Sequence, residues 1–110
     1  MKMVRTLAAL ALTAICCAPV VAQQATVRIT IKDHRFSPSE PHAPASQAFA
    51  IVVKNLDSTA SEFESKTLRV EKVVAPGGEI TMRIRPLNAG RYHFFDDFHQ
   101  DTTEGELVVE

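Results

Sequence analysis

The residues best equipped for chemistry lie between Tyr92 and Val109, a stretch that reads Tyr-His-Phe-Phe-Asp-Asp-Phe-His-Gln-Asp-Thr-Thr-Glu-Gly-Glu-Leu-Val-Val and contains no Lys or Arg. Asp96, Asp97, Asp101, Glu104 and Glu106 surround His99 in sequence. With reference pKa values near 4, these carboxylates are all ionised at neutral pH, and like charges so close repel unless a cation joins them. Carboxylates around one imidazole therefore point to metal binding. They do not point to hydrolysis, because no Ser or Cys stands with a His and an acid in a nucleophilic arrangement.

A second acidic group precedes this loop. Glu62-Phe63-Glu64 in extended form puts both carboxylates on one face and Phe63 on the other. Alternate strand residues lie roughly 7 Å apart, so two long Glu side chains can reach one ion. Glu71 joins that site or pairs with Lys66 or Arg69 on its own segment. The ordinary alternative for all of these acids is a solvated strand face, and for Asp101 and Glu104 a role in shaping the loop. Among the other histidines, His34 follows the first strand and can approach the ligand end. His42 is a weaker candidate, and His93 alternates with Tyr92 and Phe94, which puts it on a sheet face away from the core. Phe94, Phe95 and Phe98 read as packing around the site and limiting water, and Met82 as core.

These side chains must be held by strands. Thr26 to Lys32 alternates Val27, Ile29 and Ile31 with polar residues, the period of a strand with one buried face. Asp33 to Pro38 breaks the pattern, and Pro41 and Pro44 make Glu40 to Ser46 a loop or edge crossing. Gln47 to Lys54 is a second strand through Phe49, Ile51 and Val53, and it ends at the turn formers Asn55-Leu56-Asp57-Ser58. Thr67 to Val74 and Glu79 to Arg85 read as a hairpin closed by Ala75-Pro76-Gly77-Gly78, a type II turn. Tyr92 to Phe95 and Leu107 to Val109 flank the acidic loop. No segment has sustained helical periodicity. The expectation is an all-β fold, a small antiparallel sandwich of six or seven short strands, with the loop at one end of the sheets.

Residues 1–22 read as a secretory signal: Lys2 and Arg5 form the charged start, Thr6 to Cys17 the apolar core, and Val20-Val21-Ala22 the cleavage site. The apolar run is shorter than the roughly 20 residues a spanning helix needs. Residues 23–110 then form a single domain of 88 residues that is extracytoplasmic, with no membrane insertion after cleavage. Both cysteines, Cys16 and Cys17, fall in the signal, so the domain has neither a disulfide nor a thiolate ligand. Without Lys2 and Arg5 there remain ten basic and thirteen acidic side chains, a net charge of −3 that offers no basic stripe for nucleic acid.

The pattern Gly90-x-Tyr92-x-Phe94-x-Asp96-x-x-His99-x-x-x-Thr103-x-Gly105-x-Leu107-x-Val109, with Phe36-x-Pro38 and Val53-Lys54-Asn55 upstream, resembles the cupredoxins, Greek-key sandwiches that hold blue copper. In that family Cys-x-x-His follows Gly-x-Tyr-x-Phe, a Met lies near a Gly, and an upstream His follows the Asn-ended strand. Here Asp96 stands at the Cys place, Thr103 near the Met place, and Ser61 or Glu62 at the upstream His place, leaving His99. Without the thiolate there is no type 1 blue copper.

Glu62-Phe63-Glu64-Ser65, Leu68, Glu71-Lys72, Pro76-Gly77 and Phe94-Phe95-Asp96-Asp97-Phe98-His99 further resemble the cupredoxin-like periplasmic proteins of bacterial ferrous-iron uptake. That resemblance implies a periplasmic protein that binds Fe(II), assists its oxidation to Fe(III), and passes iron to an inner-membrane ferroxidase-type permease and its companion components. The expected ligands are Glu62, Glu64, Asp96 and His99, with Asp97 and Glu71 as the next tier. Two rival readings stand beside it: a Cu(II) carrier or redox partner, and a fold retained only as an interaction surface. Dimerisation around the metal is left open.

Overall fold

A computed structural model describes residues 2–4, 8–17 and 24–110 of the chain. Arg5, Thr6 and the expected cleavage site at Val20 to Ala22 lie outside the described residues. Among the described residues, no helix is long and apolar enough to cross a membrane.

The strands are β1 (Ala25–Lys32), β2 (Arg35–Ser37), β3 (His42–Ala43), β4 (Phe49–Asn55), β5 (Ser61–Ser65), β6 (Val70–Val74), β7 (Glu79–Ile84), β8 (Gly90–Asp96) and β9 (Glu104–Val109). A single 3-10 turn, Asp97–His99, separates β8 from β9. Two sheets, ordered β2-β1-β4-β7 and β3-β9-β8-β5-β6, enclose one core. Alternation explains which side of each strand is buried: Val27, Ile29 and Ile31 from β1, Phe63 from β5, and Leu107 and Val109 from β9 all point inward.

The sandwich is all-β, but its sheets are mixed and not wholly antiparallel. β1 pairs in parallel with β4, and β3 with β9. The chain leaves β1 through the short hairpin to β2, crosses to the other sheet for β3, and re-enters beside β1 in the same direction. The segments read as interruptions, Asp33 to Pro38 and Glu40 to Ser46, thus contain two short strands, both at sheet edges, where prolines are tolerated.

The expected hairpin between Val74 and Glu79 does not form. Its turn does: the Gly78 N–H donates to the Ala75 carbonyl at 2.8 Å, and Gly77 has φ +68°, the type II geometry that Pro76-Gly77 favours. However, β6 pairs with β5 and β7 with β4, so the turn carries the chain from one sheet to the other. The earlier strand also starts only at Val70, after a turn in which Arg69 takes φ +57°.

Three phenylalanines fill the core beneath the acidic loop. Phe94 stacks on Phe63 at 5.1 Å, and Phe36 meets Phe94 edge-on at 5.0 Å. Phe94 lies opposite Gly105 in the β8–β9 register, and only a glycine fits there, because a Cβ would come within 2.5 Å of the ring and 2.6 Å of the Ser39 carbonyl.

Candidate metal centre

The end of the sandwich where β4, β5 and β8 meet the loops is built around two buried polar residues. Asn55 closes β4: its Nδ2 donates to the Thr59 carbonyl at 2.8 Å and the Val74 carbonyl at 3.2 Å, while its Oδ1 accepts the Asp57 N–H at 3.0 Å. This holds the loop that delivers Asp57 and starts β5. Asp96 closes β8 and is fully buried. Its Oδ1 accepts the Glu62 N–H at 2.9 Å and the Phe98 N–H at 3.0 Å, capping the 3-10 turn, and its Oδ2 lies 2.9 Å from His99 Nδ1. Burial pushes the Asp96 carboxyl up. The Glu62 amide, the neighbouring Ser61 hydroxyl, His99 and the Phe98 amide outweigh it, and the group stays below the ordinary carboxylate range.

The six expected ligands therefore separate into two groups. Asp96 turns into the sandwich and holds His99 beside it. Glu62 and Glu64 project from the outer face of β5, opposite to buried Phe63, and Asp97 reaches the same face from the 3-10 turn. One ligand oxygen from each of Glu62, Glu64 and Asp97 lies within 4.8 Å of the others. Glu71 faces Glu64 directly across the β5–β6 pair and stands at the edge of this cluster. Its hydrogen bond with Glu62, partial desolvation and the charges of Glu71, Asp97 and Glu64 push the Glu62 carboxyl up to about 7. Desolvation, followed by Glu71 and Asp97, raises Glu64 as well, against the lowering pull of Lys66. The repulsion from Glu71 and Asp97 that contributes to both shifts is the part a cation would relieve.

Glu104 and Glu106 pair away from both groups. Glu104 lies 3.1 Å from His93 Nε2, and Glu106 lies 3.6 Å from Arg91. His93 is on the outer sheet face as expected, stacked on Phe95 at 5.7 Å. The expected aromatic enclosure is only partly formed. Phe94 is core, Phe95 faces outward, and Phe98 is half exposed, because the 3-10 turn rotates it away from the sheets.

A histidine not included in the expected ligand set sits beside His99. The β1–β2 hairpin turns on Asp33 and His34, both at positive φ (51° and 54°), which is type I′ geometry normally left to Asn and Gly. Asp57 stabilises it by accepting the Asp33 N–H at 2.7 Å and the His34 N–H at 3.0 Å. The His34 amide first, then that of Asp33 and the two nearby imidazoles, hold the Asp57 carboxyl below its ordinary value despite partial desolvation. The His34 ring is thereby laid against His99, with centroids 4.0 Å apart. Buried Thr103 donates from its hydroxyl to the His34 carbonyl and ties this hairpin to the acidic loop. The signal for His34 was its position directly after the first strand.

Two sheets packed face to face, closing on an Asn-ended strand and a capped loop, are the architecture of a cupredoxin-like sandwich. The chain matches the cupredoxin-like domain over residues 5–109 and belongs to that family. It is 45% identical over 83 residues, 76% of its length, to an uncharacterized protein of Rickettsia prowazekii (strain Madrid E), of which the match spans 66%. Its fold is similar to auracyanin A, a "blue" copper protein from Chloroflexus aurantiacus (TM-score 0.67, 15% identity, covering 80% of this chain and 100% of that one). It is also similar to the metal binding domain of the Cu(I) exporting P-type ATPase CopA of Streptococcus pneumoniae D39 (TM-score 0.66, 15% identity, 77% and 84% covered). A third neighbour is a purple cupredoxin from Nitrosopumilus maritimus (TM-score 0.57, 16% identity, 79% and 100% covered).

The fold is thus of the kind that carries copper in auracyanin A and in the CopA metal binding domain. A blue copper ion does not fit the corresponding place here. Ser61, Asp96 and Thr103 are buried there, none offers sulfur, and both Asp96 oxygens are engaged.

Proposed function

We propose that Glu62, Glu64 and Asp97, with Glu71 at the edge, bind Fe(II) in the periplasm and that the protein hands this iron to an inner-membrane iron permease. The observation that carries the reading is the convergence of three partly buried carboxylates from two separate elements within 4.8 Å of one another. Hard anionic oxygens suit iron better than Cu(I), and each carboxylate stabilises Fe(III) more than Fe(II) because the higher charge gains more Coulomb energy. Such a site lowers the potential of bound iron and favours its oxidation. The electron must leave to an acceptor outside this cluster, so the protein acts first as a binding and hand-over module and only with partners as a ferroxidase component. The resemblance of Glu62-Phe63-Glu64-Ser65 and Phe94 to His99 to ferrous-iron uptake proteins supports the same partner and compartment.

Anaerobic Fe(II) titration of the full-length chain, with Cys16 and Cys17 alkylated, tests the reading. Stoichiometric binding that survives His99→Ala and disappears in the Glu62→Gln, Glu64→Gln double variant supports it. Binding unaffected by the double variant, or no binding at all, overturns it.

A further inference from the structure

We infer that the outer face of the β2-β1-β4-β7 sheet is a docking surface for the anionic headgroups of a lipid bilayer. Strand alternation and register put Arg28 and Lys32 of β1, Arg35 of β2, Lys54 of β4 and Arg83 of β7 on that face. Glu79 is the only acid in these four strands, so the face carries a charge of +4. The outer face of the other sheet has the opposite sign: Glu62, Glu64, Glu71, Glu104 and Glu106 stand there against Arg91. A small net charge thus hides a separation of sign across the sandwich. The basic face is not balanced from within. Among the described residues none of its five cations forms a salt bridge, although Arg91 on the other sheet forms two. Lys54 only donates to the Gly77 carbonyl at 2.7 Å. Lys32 and Arg35 stand directly opposite each other in the β1–β2 register, and like charges so placed destabilise a sheet. An anion lying over both removes that cost.

The layout of the charges fits a plane. They run from the β2 edge to the β7 edge, a width of about 15 Å at the usual strand spacing. Thr26, Ala50 and Thr81 between them are short, so the long cationic side chains stand outermost. Leu56, 53% exposed, lies at the rim: its N–H donates to the Ile31 carbonyl, next to Lys32, and it supplies an apolar contact at the headgroup boundary. A single-stranded nucleic acid stacks its bases on aromatic side chains, and the two aromatics of these strands, Phe36 and Phe49, are buried in the core. A second copy would have to offer its acidic face, where Glu104 and Glu106 are already paired with His93 and Arg91, and a contact between unlike faces does not close. On a bilayer the separation of sign orients the domain. The basic sheet meets the lipid phosphates, which repel the acidic sheet and leave Glu62, Glu64 and Asp97 facing solvent.

Flotation of the full-length chain with lipid vesicles tests the inference. Cys16 and Cys17 are alkylated, and every protein carries Lys2→Gln and Arg5→Gln, so that a preference for charged lipid comes from the folded domain. Partition into vesicles of phosphatidylglycerol and phosphatidylcholine should exceed partition into pure phosphatidylcholine by about tenfold or more at about 50 mM salt, and the excess should vanish at about 0.5 M. The variant Arg28→Gln, Lys32→Gln, Arg35→Gln, Arg83→Gln should lose the excess. Arg28→Lys, Arg35→Lys, Arg83→Lys should keep it, because a layer of headgroups reads charge and not the guanidinium fork. All these side chains are exposed, and the glutamine variant should melt no lower than its parent, since it relieves the repulsion between Lys32 and Arg35. No excess in the parent protein, or the same excess in the glutamine variant, overturns the inference. A salt-sensitive dimer without lipid preference, abolished in the glutamine variant, would assign the face to a second copy and overturn it equally.

Discussion

The buried Asp96 carboxylate accepts the backbone N–H of Glu62 at 2.9 Å. One residue thus caps the 3-10 turn that carries Asp97, orients His99, and fixes the start of the strand that carries Glu62 and Glu64. Asp96→Ala should strand the Glu62 and Phe98 amides and cost about 2–4 kcal/mol, read by urea denaturation at neutral pH. Asp96→Asn, which keeps an acceptor, should cost less. A loss below about 1 kcal/mol for the alanine variant would mean that the carboxylate does not hold this end of the fold.

The Glu62 carboxyl dictates a pH dependence of known sign. Its folded value of about 7 stands above the ordinary 4.5, so the folded state binds more protons between those values, and stability falls as pH rises through that window. Glu62→Gln should flatten this slope and make the protein more stable than wild type at pH 8. Metal binding should run the other way, strengthening as pH rises through about 7, because an ion must displace the proton that Glu62 holds below that pH. Denaturation curves of both proteins at pH 5 and 8 provide the check, and identical slopes would contradict the crowding of Glu62 by Glu71, Asp97 and Glu64.

Asp96 contributes in the opposite sense. Its folded value lies below the ordinary 3.8, so its stabilisation is complete above that pH and is lost as pH falls through the folded value. Acid unfolding of the wild type should therefore have a component absent from Asp96→Asn.

Gly105→Ala should destabilise by overpacking. The added Cβ would lie 2.5 Å from the fully buried Phe94 ring and 2.6 Å from the Ser39 backbone, and neither the ring, stacked on Phe63, nor the backbone oxygen can yield freely. We expect a loss of about 1–3 kcal/mol in thermal denaturation, whereas Gly77→Asn, at an open turn position that tolerates Asn, should cost much less. Equal effects would contradict the packing described for β8 and β9.

Local alternation made much of this legible beforehand. The inward faces of β1 and β5, and the placement of Glu62 and Glu64 together on one side of Phe63, follow from a period of two and require no tertiary information. The pairing partners of β6 and β7 do not: Pro76-Gly77 specifies a turn, and the same turn serves a hairpin or a crossing between sheets. The candidate site divides along the same line. Asp96 and Asp97 are adjacent in sequence, yet one faces the core and the other the outer surface, because β8 ends and the 3-10 turn begins between them. Nor does spacing bring His34 to His99; that contact needs the strained β1–β2 turn, the Asp57 clamp and the closing of the two sheets.

The most direct test of the carboxylate site is anaerobic thermal denaturation of the full-length chain, cysteines alkylated, with and without Fe(II). At an Fe(II) concentration about 100 times its dissociation constant, binding should add about 2.7 kcal/mol, a rise in Tm of roughly 10 °C or more. The Glu62→Gln, Glu64→Gln variant should show no such rise. An unchanged Tm in the wild type, or the same increase in the variant, would contradict the assignment of Fe(II) to Glu62, Glu64 and Asp97.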